Sequence, residues 1–186
     1  MSDPRREIVI KVAEANLEFP YRWGGSDPIA GRDCSGLVVH CYQSAGILKH
    51  GSDYSANGLY LKFKKGLEES GLTYIQKASP DPGDAVFWFS KSGKKATHVE
   101  IALDNRFVIG ASGSGRPKFD VKKWLEIPTI FNFYDSLRSS EMEETFLRIL
   151  NQILFKDQAE KDDAFVKIRP INYRGMTFTH LDPFII

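Results

Sequence analysis

Apolar residues recur along this chain first at helical and then at strand spacing. Ile8, Val12 and Ala15, joined by Val9, share one face after Asp3 and Pro4, residue types that cap and open a helix, so a helix is expected from about Pro4 to Leu17. From Phe19 to Gly31 the periodicity stops and Gly24, Gly25, Pro28 and Gly31 punctuate a loop that carries Tyr21 and Trp23. Asp33 then suits an N-cap. Leu37, Val38, Cys41 and Tyr42 fall at helical spacing behind it, and Gly46 marks the stop, which predicts a mostly buried helix from Cys34 to Ala45. A weaker helix is expected over Ser55 to Lys65. After it come LTYI, DAVFWF, THVEIAL and RFVIGA, short runs rich in β-branched and aromatic residues and divided by Pro, Gly, Asp and Asn. Helices first and strands afterwards predict an α+β domain with N-terminal helices packed on an antiparallel sheet.

Past Gly115 the pattern turns helical again, most clearly where Ser140 and Glu143 form a capping box ahead of Met142, Phe146, Ile149, Leu150 and Ile153. AFVKIRPI, residues 164–171, returns to strand character. The whole of 1–186 is therefore expected to be one domain, with 121–162 a helical insertion before its last strands. Its default reading is a stabilising insertion, and a docking surface or a lid are the alternatives.

Composition narrows the function. With 42% hydrophobic and 26% charged residues, a chain of this size is globular and buries about 70% of its unfolded surface. Twenty-five Lys and Arg against 24 Asp and Glu leave a formal charge of +1, with no broad positive field for nucleic acid. The first residues lack the apolar run of a leader and no segment reaches the length of a membrane span, so a protein made in the cytoplasm with no signal peptide and no membrane insertion is expected. Cys34 and Cys41 are the only cysteines. Seven residues apart on a helix, they stand about 10 Å apart along its axis, too far for a disulfide. No metal or organic cofactor is implied.

Cys34 opens a helix, where unpaired amides and the helix dipole favour a thiolate, and small or polar neighbours leave it reachable. A small buried hydrophobe is the alternative, and for Cys41 it is the favoured reading. A nucleophilic thiol needs a base. His40 points about 120° away from Cys34 on the same helix, whereas His50 and His180, in polar or terminal loops, stay open as candidates. His98 shares a strand face with Glu100 and Ala102, opposite Val99, Ile101 and Leu103, and that face is expected to lie against the Cys34 helix.

Taken together and in order, FPYRWGG, DCSGLV, PGDAVFWF, and HVEIAL with RFVIGASGSG resemble the NlpC-type cell-wall cysteine peptidases, a branch of the papain-like fold. The resemblance is strong over about residues 4–115. AFVKIRPINYRG further resembles the end strand of phage-tail members. The resemblance implies hydrolysis of amide bonds of the γ-D-glutamyl type in peptidoglycan stem peptides, with Cys34 as nucleophile and His98 as general base and acid. It makes Asp33 and Ser35 holders of the substrate amine, gives Tyr21 a part in the oxyanion site, and sets Trp23 in the same wall. Tail proteins become possible partners and a virion or phage-like particle the expected location. Where the family has a polar orienter, often His, this chain has Gly110, and where the family commonly has a small residue it has Glu100. If Asp104 to Arg106 form a three-residue hairpin loop, Glu100 faces Gly110 and His98 faces Ser112, so Glu100, or less favourably Ser112, is expected to orient His98. The rival readings are a thiol amidase or acyltransferase acting on another amide, and an inactive structural tail protein.

Overall fold

The computed structural model describes residues 3–27, 31–71, 79–113 and 164–185. Helix α1, Pro4–Glu14, starts where expected, the Asp3 carboxylate accepting from the Arg5 amide at 2.9 Å. It stops three residues short of Leu17 because the chain is drawn elsewhere: the Asn16 side chain donates to the Val12 carbonyl and accepts from Arg32 Nη1. Residues 18–21 then leave to hydrogen-bond along Val166 and Ala164. A short hairpin of β1 (Ser26–Asp27) and β2 (Gly31–Arg32) closes the glycine-rich loop. Helix α2, Cys34–Ser44, follows the Asp33 cap, with Leu37, Val38, Cys41 and Tyr42 fully buried. Helix α3, Ala56–Glu69, outruns its expected end at Lys65, because Leu67 continues the buried stripe of Leu59 and Phe63.

The strands are β3 (Ala85–Phe89), β4 (Ala96–Ala102), β5 (Phe107–Ser112), β6 (Phe165–Pro170) and β7 (Phe178–Leu181). They form one antiparallel sheet in the order β6-β5-β4-β3-β7. Strand β7 was not expected, and His180, placed by sequence in a terminal loop, is a buried strand residue opposite Val86. The LTYI segment and the helical segment 121–162 lie outside the described residues. No helix among the described residues is long and apolar enough to cross a membrane.

Both faces of the sheet are covered. The helices pack on Ala85, Phe87, Val99, Ile101, Ile109, Ala111 and Val166. On the reverse face Val86, Trp88, Ala102 and Val108 pack with Ile171, Tyr173 and Phe178. This corrects the reading of β4: Val99 and Ile101 meet the helices, while Glu100 and His98 pair across β3 with Val86 and Trp88 of the reverse face. Period-two alternation says which residues share a face, and with both faces buried it does not say which one meets the helices.

Arg6 of α1 is tied to described residues near the other end of the chain. Arg6 reaches Asp84 at 2.8 Å and Asp182 at 2.5 Å, donates to the Pro82 carbonyl, and stacks 4.2 Å from the centre of the Phe184 ring. Asp84 is fully buried and Asp182 nearly so.

Candidate active site

The loop before α2 is built to fix one thiol. Asp33 is extended, and its Oδ1 accepts from the Gly36 amide at 2.7 Å and the Ser35 hydroxyl at 3.0 Å. Its Oδ2 accepts from the Gly24 amide at 3.1 Å, so one carboxylate caps the helix and anchors the Trp23-Gly24-Gly25 turn. The approach is close enough to require glycine: a Cβ on Gly36 would stand 2.4 Å from the Gly25 carbonyl oxygen. Cys34 is thereby held in the first turn, 9% exposed, with the backbone N–H groups of Val99 and Ser35 placed to favour its anion. The recorded ladder between β4 and β5 pairs Ala102 with Val108 and Ile101 with Ile109. Beyond it the Val99 amide is near enough to favour the thiol's anion, which sets the sulfur beside the peptide that joins His98 to Val99.

His98 is 7% exposed and its Nε2 lies 2.9 Å from Glu100 Oε1. A carboxylate on Nε2 fixes the proton there and leaves Nδ1 as the basic nitrogen. Glu100 is fully buried because Gly110 makes room for it: a Cβ at Gly110 would come within 2.3 Å of Glu100 Cγ. The tight hairpin sets this register, the Leu103 amide donating to the Phe107 carbonyl and Asp104 Oδ1 accepting from Arg106 and Phe107. Gly110→Ala is expected to lower stability by about 1 to 3 kcal/mol through overpacking. In a Glu100→Ala background most of that loss should vanish, a coupling that urea unfolding of the four proteins reads directly. Additive losses would refute the steric pairing.

Residues that sequence reasoning missed complete the network. The Arg174 Nε–H donates to Tyr173 Oη at 2.8 Å, and Tyr173 Oη–H donates to Glu100 Oε1 at 2.9 Å while standing 3.4 Å from His98 Nε2. Arg169 Nη1 lies 3.6 Å from Glu100 Oε1, and the Trp88 ring packs on the imidazole at 5.6 Å. The only signal available was NYRG, a polar cluster after a strand, and nothing in its spacing says which strand it folds back on.

The other named residues fall at two distances from this centre. Tyr21 is half-buried beside Gly113, where a Cβ would meet its ring at 2.6 Å, and its phenol is pushed up first by burial and next by the Cys34 and Asp33 charges. Ser35 is buried and committed to Asp33. Ser112 does not bond His98; its Oγ accepts from Arg174 Nη2 at 3.4 Å. Trp23 is 59% exposed on the rim and contributes no core packing. His180 is two strands from Glu100, about 10 Å away. No group of three or more His, Cys, Asp or Glu side chains among the described residues could hold a metal.

The electrostatics depart from the expectation of a stabilised thiolate. Burial, then the Asp33 charge, push the Cys34 thiol up to about 11, outweighing the two amides that favour the anion. Burial lowers His98 below its ordinary 6.5, against the Glu100 hydrogen bond and charge, which raise it. Both directions favour the neutral forms, thiol and imidazole. Cys41, wholly buried, is pushed up to about 12 by burial.

The chain shares sequence with known proteins over this same region. A Bacillus subtilis (strain 168) bifunctional muramidase/DL-endopeptidase is 33% identical over 117 residues, 62% of this chain and 32% of that one. Murein DD-endopeptidase of Escherichia coli (strain K12) is 35% identical over 98 residues, 52% of this chain and 32% of its own. The chain thus spans about a third of the length of these relatives. The structure of the peptidoglycan hydrolase RipB from Mycobacterium tuberculosis superimposes with a TM-score of 0.51 at 18% identity, over 97% of this chain and 65% of that one, which supports a shared papain-like fold. A profile of the NlpC/P60 family matches residues 18–150, a span that takes in Cys34, His98 and the glycine facing Glu100. The chain belongs to the NlpC/P60 family.

Proposed function

We propose that the protein is a cysteine peptidase that hydrolyses amide bonds of the γ-D-glutamyl type in peptidoglycan stem peptides, with Cys34 as nucleophile and His98 as base and acid. The observation that carries this reading is the placement of a helix-opening thiol beside the His98–Val99 peptide, with His98 Nε2 bonded to a buried carboxylate 2.9 Å away. Two relatives named as endopeptidases support the reaction class, and because one is a DL- and the other a DD-enzyme, the choice of bond rests on the sequence resemblance.

The chemistry follows from the resting protonation states. As the Cys34 sulfur attacks the carbonyl carbon, His98 Nδ1 takes the thiol proton, which avoids building a free thiolate in a buried site. Glu100 steadies the imidazolium through Nε2. The Tyr21 hydroxyl, held protonated by its raised pKa, is a donor for the oxyanion. The C–N bond then breaks, His98 gives its proton to the leaving amine, and a water deprotonated by His98 hydrolyses the thioester. Mass spectrometry of purified peptidoglycan fragments incubated with the protein identifies the bond cut. Intact fragments after exhaustive incubation would contradict the proposal.

Glu100 acts here as a positioning residue, which gives the site a pH signature. Glu100→Gln is expected to lower kcat roughly 10- to 100-fold. Because the Glu100 charge and hydrogen bond raise His98, their loss lowers it further, so the acid limb of the kcat/KM profile shifts to lower pH. Ser112→Ala should stay within about threefold of wild type, since Ser112 does not touch the imidazole. An unmoved acid limb in Glu100→Gln would end this assignment.

A phage tail or phage-like particle is the proposed carrier, with tail proteins as partners. Its support is the likeness of AFVKIRPINYRG to the end strand of phage-tail members. Immunoblotting of purified particles checks it, and protein found solely outside the particle fraction would contradict it.

A further inference from the structure

Arg174 has no task in the reaction above, yet it stands at the centre of the site. Its Nε is bonded to Tyr173, which touches His98, and its Nη2 lies 3.4 Å from Ser112 Oγ, next to the Gly113 position that contacts Tyr21. The guanidinium is held over the Tyr173 ring at 5.1 Å and the Trp88 ring at 5.7 Å. Its position is therefore fixed before any substrate arrives.

The carboxylates around it are already engaged by other groups. Arg169 already faces Glu100, and the Asp33 carboxylate is committed to Gly24, Ser35 and Gly36. Among the described residues Arg174 forms no ion pair, and its Nη1 meets no acceptor. A half-buried guanidinium of this kind, preorganised and without an anion of its own, is matched to a carboxylate, which accepts two parallel N–H bonds in its fork. A γ-linked glutamyl residue carries such a group beside the scissile bond, its free α-carboxylate, unless that carboxylate is amidated.

Resting on the peptidase reading above, we propose that Arg174 binds the free α-carboxylate of the γ-glutamyl residue on the acyl side of the scissile bond, so that the ionised substrate is selected over its α-amide. The amide offers a single acceptor and turns N–H groups towards the cation.

Two synthetic stem peptides, identical except for an α-carboxylate or an α-carboxamide on the γ-glutamyl residue, test this with the purified full chain. Wild type is expected to favour the carboxylate peptide in kcat/KM by roughly 10-fold or more. Arg174→Gln should lose at least about 10-fold more on that peptide than on the amide, with Arg174→Lys in between. Equal cleavage of both peptides by wild type, or an equal loss on both in Arg174→Gln, overturns the inference while the peptidase reading stands. The second pattern is what a merely structural role through Tyr173 produces. Cleavage of neither peptide overturns the peptidase reading itself. Should Arg174→Gln fail to fold, the wild-type ratio alone decides.

Discussion

On the proposed mechanism, replacing Cys34 by Ala is expected to remove stem-peptide hydrolysis, lowering the rate by at least about 10⁴-fold, and to leave the fold in place. The activity loss is expected because the proposed mechanism makes the sulfur the atom that forms the covalent bond. Stability survives because Cys34 is a small residue at the first turn of α2, with 9% of its surface still open, so deletion of one sulfur costs roughly 1 kcal/mol. Cys41→Ala should behave in the opposite way. Its sulfur is wholly buried among the α2 core residues, so its removal lowers stability by about 1 to 3 kcal/mol and spares turnover. Product chromatography and thermal melts on the two variants separate these roles. Hydrolysis by Cys34→Ala above a few per cent of wild type would refute covalent catalysis at this thiol.

The largest effect on stability is expected from Arg6→Ala. Arg6 is the counter-charge of Asp84, which has no exposed side chain, and of Asp182, and it links α1 to the chain's last described residues. Its loss leaves buried carboxylates without their partner and should cost about 3 to 5 kcal/mol. The effect carries a pH signature whose sign is fixed. Burial raises Asp84 to about 6 in the fold, above its ordinary 3.8, and Arg6 is one of the groups that hold it down. A carboxyl raised in this way disfavours the fold by an amount that is absent below its ordinary 3.8, builds as pH climbs from there, and is complete above about 6. Without Arg6 that value moves higher, so protonation relieves the variant sooner. The gap between variant and wild type should therefore be smaller at pH 5 than at pH 7.5 in denaturant titrations. A gap that widens on acidification would contradict this view of the cluster.

What could be read from the sequence was local or tied to a short loop. Asp33 before Cys34 and Asp3 before α1 are caps whose chemistry lies within three residues, and both cap as expected, while Ser55, read as the first residue of its helix, turns out to be the cap of α3. The three-residue loop after Leu103 fixes a register, so the opposition of Glu100 and Gly110 followed from counting, and the close approach of their atoms bears that out. What escaped depends on distant pairing. Phe178–Leu181 is a four-residue strand whose partner, β3, lies far back along the chain, and Tyr173 reaches His98, with Arg174 bonded to Tyr173, because the segment after β6 folds across the reverse face. The burial that opposes a thiolate escaped for a related reason. A helix start is visible in sequence, whereas the depth of the sulfur and the carboxylates of Asp33 and Glu100 around it are properties of the folded chain.

The central claim, that Cys34 attacks a stem-peptide carbonyl with the help of His98, is tested most directly by an affinity label. A γ-glutamyl stem peptide with a diazomethyl ketone in place of the scissile amide should alkylate one residue and abolish turnover in proportion. Peptide mapping by mass spectrometry should find the label on Cys34, with Cys41 unmodified and labelling slowed at least about 100-fold in His98→Ala. Inactivation with the label on any other residue, or full labelling of Cys34 with turnover retained, would contradict the account.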